Sequence, residues 1–257
     1  MSSERRLTSA AIRARKGAAF PVMTAYDAPF GRCVEEAGID VILVGDSLGM
    51  VVLGYPSTAN VELEDMLRHV GAVARGTRRA HVIGDLPFGA YEASDETAVR
   101  SSIALVKAGA DSVKLEGGVR VASRIHAIVC GGVPVVGHIG VTPQTAAIDA
   151  GFRRKSDAKS LLADARAVEE AGAYAIVLEM VDAAVAREIT AALAIPTIGI
   201  GSGPECDGQV LVLHDALGLY PESPPFAKRF TDLGGASIEA LRRYAAEVRD
   251  RTYPPAK

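Results

Sequence analysis

Eight short aliphatic runs punctuate the chain: AFPVMTAYD (19–27), DVILVGDS (40–47), AHVIGDLP (80–87), DSVKLEGG (111–118), VPVVGHIG (133–140), AYAIVLEM (173–180), IPTIGIGSG (195–203) and QVLVLHD (209–215). Their apolar residues are continuous rather than alternating. Such runs mark strands covered on both faces, as in a parallel sheet sheathed by helices. Segments of helical period stand between them. PFGRCVEEAG (29–38) and VELEDMLRHVGAVARGT (61–77) are amphipathic and stop near Gly38 and Gly76. SDETAVRSSIALVKAGA (94–110) opens on Ser94 as N-cap, with Asp95 and Glu96 at the positive end of the helix; SDAKSLLADARAVEEAGA (156–173) repeats the design. The endings EEAGID, VKAGAD and EEAGAY each place glycine just past a helix and just before a strand.

Eight strand–helix units in 257 residues predict a (β/α)₈ TIM barrel, read as a single domain over 1–257. Residues 1–17 are expected to add an N-terminal helix, and 221–235 to form a loop before a last helix at 236–252. The gap between strands seven and eight leaves the least room for a helix. A doubly wound open sheet is the alternative, but no GxGxxG follows the first strand.

A net charge of −3 without a long basic run gives no footprint for nucleic acid or an anionic membrane. The aliphatic runs are too short to span a bilayer, and the N-terminal stretch lacks an apolar signal region. Cys33, Cys130 and Cys206 are scattered without a CxxC. A reduced cytoplasmic protein without disulfides or structural zinc is expected.

In such a barrel the chemistry sits at the C-terminal strand ends. Those ends carry Asp27, Asp46, Asp85, Glu116, His138, Glu179, His214 and Asp215. Asp46, Asp85 and Glu116 follow three consecutive strands. Crowded carboxylates require a cation. A hard metal such as Mg²⁺ suits oxygen donors, and Lys114 is the other candidate. Lys114 and Glu116 are two apart on one strand and therefore share a face that points into the barrel mouth. Glu179 stands across the ring as a general base or a strand-end ion-pair partner, and His138 as a functional or structural histidine. GIGSG (199–203) reads as a phosphate loop or a tight turn. His69 and His81 read as structural, and His126 as a solvated or packed residue of a helical segment.

The stretches MTAYDAPF (23–30), VGDSLGMVVLGY (44–55), DLPFGAYE (85–92), VKLEGG (113–118), GHIGVTPQ (137–144), EEAGAYAIVLEMV (169–181), IPTIGIGSGPECDGQVLVLHDALGL (195–219) and PFAKRF (225–230) cover most of the chain in order. Together they resemble the ketopantoate hydroxymethyltransferase family. The resemblance implies a (β/α)₈ barrel, Mg²⁺ and 5,10-methylenetetrahydrofolate as co-substrate. It implies that Asp46, Asp85 and Glu116 serve the metal, that Asp46, Ser47, Asp85 and Lys114 hold a 2-oxo acid, that His138 lies near it, and that Glu179 accepts its proton. It also implies a homodecamer and a place in pantothenate biosynthesis. Two other readings stand beside it. One is an enzyme of the phosphoenolpyruvate mutase and isocitrate lyase type, disfavoured by the absence of a KKCGH signature. The other is a non-catalytic relative that only binds a 2-oxo acid.

Overall fold

A computed structural model describes residues 5–146 and 153–255. Strands β1 (Phe20–Thr24), β2 (Val41–Val44), β3 (His81–Asp85), β4 (Ser112–Glu116), β5 (Val135–Gly140), β6 (Ala175–Glu179), β7 (Thr197–Ile200) and β8 (Gly208–Leu211) form a closed barrel in sequence order. The pairing from β1 through β8 is parallel, so all C-terminal ends open on one rim.

Around the strands run α1 (Ser9–Arg13), α2 (Ala28–Glu36), α3 (Leu48–Val51), α4 (Leu63–Gly76), α5 (Asp95–Ala108), α6 (Ala122–Cys130), α7 (Ala158–Glu170) and α8 (Ala183–Ala192). These belong to a compact unit that ends at Val210. A second unit, from Leu211 on, holds α9 (Leu213–Leu217) and α10 (Leu233–Arg249). No described helix is long and apolar enough to cross a membrane.

The expected helix signals act as chemistry dictates. Ser94 caps α5 by accepting from Thr97 N. Gly38, Gly109 and Gly172 all take positive φ, the conformation that turns each chain end back toward its next strand. Three expectations are corrected. The N-terminal helix is confined to Ser9–Arg13, because Thr8 caps it and Gly17 turns the chain at φ +79°; residues 1–4 of the expected span lie outside the described residues. Between β7 and β8, residues 201–207 form a turn without a helix. The run 209–215 is a strand only to Leu211, since a helix begins at Leu213.

Inside the barrel, period-two alternation sorts the side chains into layers. On β4, Ser112, Lys114 and Glu116 share the inward face while Val113 and Leu115 lie buried on the other. The bottom layer is polar: Ser112 Oγ lies 2.8 Å from His81 Nε2 and 2.9 Å from the Tyr174 hydroxyl. Leu43, Ile83, Val136, Val177 and Ile198 are part of the buried apolar cluster. Asp85, Lys114, Glu116, His138 and Glu179 lie at or near the C-terminal ends of their strands.

Candidate active site

β2 runs out at Val44, and Gly45 turns the chain so that Asp46 and Ser47 stand at the start of α3. The Asp46 amide donates to Asp85 Oδ2 at 3.0 Å, which ties the ends of β2 and β3. Lys114 Nζ sits 2.8 Å from the other oxygen, Asp85 Oδ1. The same Nζ lies 3.4 Å from His138 Nδ1. An ammonium has no lone pair, so Nδ1 is the acceptor and the imidazole proton resides on Nε2. That nitrogen faces Glu179 Oε2 at 3.2 Å, although its N–H is not yet aligned on the carboxylate. Loose alignment of this kind is usual before substrate binds. Ser47 Oγ is within 2.8 Å of the Tyr26 hydroxyl.

The electrostatics follow from burial. Three acidic side chains, Asp46, Asp85 and Glu116, are buried with one ammonium. Burial and the neighbouring Asp85 push Asp46 up to about 7, and burial and Asp46 hold Glu116 well above the usual carboxylate range. Burial alone would lower the Lys114 ammonium, but Asp85, Asp46 and Glu116 reverse this and hold it above its ordinary value. Burial and Lys114 push His138 down, so its ring is neutral.

Glu116 Oε2 is buried without a hydrogen-bond partner, 3.6 Å from His138 Nδ1. An orphaned oxygen among three carboxyls that share one ammonium fits a further cation, which would draw the raised carboxyls into their charged form, and an oxygen-only donor set fits a hard one. Among the described residues no three His, Cys, Asp or Glu side chains stand as a ready-made metal cage. Mg²⁺ does not need one, because it keeps water and substrate oxygens in several positions.

A family model for ketopantoate hydroxymethyltransferase matches residues 6–256. The chain belongs to that family. It is 55% identical over 244 residues to the 3-methyl-2-oxobutanoate hydroxymethyltransferase of Ignicoccus hospitalis, covering 93% of each protein. It is 50% identical to the enzyme of the same name from Thermus thermophilus, covering 95% of each. Among solved structures, phosphonopyruvate hydrolase in complex with oxalate and Mg²⁺ superposes with a TM-score of 0.66 at 16% identity, over 98% of this chain and 90% of that one. A 2,3-dimethylmalate lyase of the phosphoenolpyruvate mutase and isocitrate lyase superfamily gives 0.64 at 17%, over 98% and 91%. At those identities the likeness is one of fold.

The barrel thus gathers Asp46, Ser47, Asp85, Lys114, Glu116, His138 and Glu179 on consecutive strand ends. Other residues expected at strand ends have different places or work. Asp27 caps α2, accepting from Phe30 N at 2.8 Å. His214 and Asp215 lie in α9 of the second unit, where Asp215 accepts from the Tyr220 hydroxyl. In GIGSG, Ser202 spends its hydroxyl on Val181 N and Leu178 O at 3.0 and 2.7 Å, tying the loop to the end of β6.

Sequence reasoning missed two residues. Gln144 donates from Nε2 to Asp46 Oδ2 at 2.7 Å and from its backbone N to Glu116 Oε1 at 2.8 Å. Tyr91 donates to Gln144 Oε1 at 2.6 Å. Both residues stand in stretches that carry the family resemblance, GHIGVTPQ and DLPFGAYE, and that was the available signal.

Proposed function

We propose that this chain transfers a hydroxymethyl group from 5,10-methylenetetrahydrofolate to 3-methyl-2-oxobutanoate, giving 2-dehydropantoate and tetrahydrofolate with consumption of water. The observation that carries this reading is the placement of the Glu179 carboxylate against a neutral His138, beside a buried group of three carboxyls and one ammonium. Relatives half identical to this chain bear the name of that activity.

Asp46, Asp85 and Glu116 would hold Mg²⁺. When bound, that ion supplies Lewis-acid polarisation of the 2-oxo acid's oxygens. Lys114 and Ser47 orient the substrate anion, Lys114 by charge and Ser47 through a hydroxyl held by Tyr26. Glu179 removes the C3 proton, and the Nε2–H of His138 keeps its carboxylate turned toward that proton. Carbon 3 forms its new bond to the methylene carbon of the folate, whose bonds to the two folate nitrogens break; water supplies the oxygen of the new hydroxyl, and the protons lost by C3 and by water end on those two nitrogens. Cys33, Cys130 and Cys206 are unpaired, which supports a reducing, cytoplasmic setting. A homo-oligomer belongs to the same reading.

The test is proton NMR in D₂O with 3-methyl-2-oxobutanoate, Mg²⁺ and 5,10-methylenetetrahydrofolate. The wild type is expected to give a new hydroxymethyl signal and to exchange the C3 proton. Glu179→Gln is expected to slow both by about 10²–10⁴. Exchange without transfer would leave an enolising enzyme that uses another electrophile. Loss of both in the wild type would overturn the reading.

A further inference from the structure

Gln144 lies beyond β5, in a segment where a glutamine is ordinarily solvated, yet it is only 4% exposed. Every polar atom of its side chain is used. Nε2 donates to Asp46 Oδ2 at 2.7 Å and to Leu86 O at 3.0 Å, and Oε1 accepts from the Tyr91 hydroxyl at 2.6 Å. Its backbone N donates to Glu116 Oε1 at 2.8 Å. One residue thus touches two of the three carboxyls, one with its side chain and one with its backbone.

The orientation of the amide is fixed by its surroundings. A flipped amide would turn Oε1 toward the Leu86 carbonyl and Asp46 Oδ2, setting oxygen against oxygen. The Leu86 carbonyl and Asp46 set the observed sense, and the Tyr91 hydroxyl holds the amide in it. The Tyr91 ring is 1% exposed, its hydroxyl also reaches Glu116 O at 3.2 Å, and burial and Glu116 hold it as a neutral phenol. The chain of contacts therefore runs from the loop after β3 (Tyr91), through the loop after β5 (Gln144), to the end of β2 (Asp46) and the end of β4 (Glu116). Loops move more easily than strands. Here two of them are pinned by a buried amide to the carboxyl group they overhang.

We infer that Gln144, locked by Tyr91, is a positioning residue that fixes Asp46 and Glu116 relative to one another for binding a divalent cation. The inference rests on the reading that these carboxyls hold the metal. Gln144 does not touch the reacting carbon in this scheme. It acts through Asp46 and Glu116, as outer partners orient metal ligands elsewhere.

The test is Mn²⁺ binding followed by electron paramagnetic resonance, on wild type, Gln144→Met and Tyr91→Phe, each first shown to be folded by thermal melting. Methionine keeps the length of the side chain and removes both polar atoms; phenylalanine removes one oxygen. Mn²⁺ affinity is expected to fall about 10- to 100-fold in Gln144→Met. A smaller drop is expected in Tyr91→Phe, which leaves the amide in place but unlocked. Excess Mn²⁺ should restore most of kcat in both, since the defect is in holding the ion; a general structural defect would not be rescued. Wild-type affinity in a folded Gln144→Met chain would overturn the inference. If that variant does not fold, wild-type affinity in Tyr91→Phe overturns it instead. A chain that shows this loss of Mn²⁺ affinity but never makes a hydroxymethyl product upholds the positioning role while the transferase reading fails.

Discussion

His138 Nε2 stands 3.2 Å from the Glu179 carboxylate, across the gap between β5 and β6. The other ring nitrogen faces Lys114, so the imidazole is a neutral donor with its proton on the Glu179 side. Nitrogen-15 NMR of the histidines should therefore show one ring in the Nε2–H tautomer whose signal moves in Glu179→Gln. His138→Phe removes the N–H that would donate to the Glu179 carboxylate once substrate aligns the two, a bond to a charged group worth about 1.5–3 kcal/mol. C3–H exchange should then slow about 10- to 100-fold. An Nδ1–H tautomer, or unchanged exchange, would remove the orienting role.

Lys114 is the ammonium that offsets Asp46, Asp85 and Glu116 within the barrel. Lys114→Met keeps the volume and deletes the charge. Breaking a buried ion pair from one side costs about 3–5 kcal/mol, because the abandoned carboxylate stays buried. Thermal unfolding of Lys114→Met should shift down by roughly 10 °C. Binding of 3-methyl-2-oxobutanoate should be lost as well. A variant as stable as wild type would mean that the carboxyls relax into water, contrary to their burial.

Asp207 anchors the chain just after α1 to β7. It accepts from Gly17 N at 2.7 Å, Thr197 N at 2.8 Å and Lys16 Nζ at 3.0 Å. Burial alone would raise its carboxyl, but these donors outweigh it and hold the pKa below its ordinary value. A carboxyl lowered by folding stabilises the protein above its unfolded pKa of about 3.9, and this contribution is lost as pH falls below that value. Asp207→Asn should cost about 2–3 kcal/mol at pH 7 in urea unfolding. The gap to wild type should narrow near pH 3. An equal gap at both pH values would show that the charge does not contribute.

The barrel was legible because its strands are buried on both faces, so VILV in β2 and AIVLE in β6 could be read without alternation. Lys114 and Glu116 were legible as a pair because two-residue spacing fixes a common face. Asp27 stands beyond β1 as expected, but it caps α2 rather than joining the other carboxyls, and that signal was present: an aspartate just before Ala28 and Pro29. Gln144 was not legible. Its role depends on where two loops meet, and neither period nor capping rule reports that. The turn at 201–207 in place of a helix shows the same limit, since strand runs count units but do not reveal how two strands are joined.

Gly140 links the fold to the base. It pairs with Glu179 across β5 and β6, takes φ +101°, and leaves room in which a Cβ would meet Glu179 O at 2.2 Å. Gly140→Ala therefore strains its own backbone and displaces the peptide that carries the base, for a combined cost of about 2–4 kcal/mol. Gly137, on the same strand, is the matched control. A Cβ there would meet Val168 Cγ1 of α7 at 2.3 Å, a side chain of the helical layer. Both substitutions should lower the melting temperature. Only Gly140→Ala should also slow C3–H exchange when both are assayed well below their melting points. If Gly137→Ala slowed exchange as much, the loss would report general loosening of the barrel, and the tie between Gly140 and the position of Glu179 would fail.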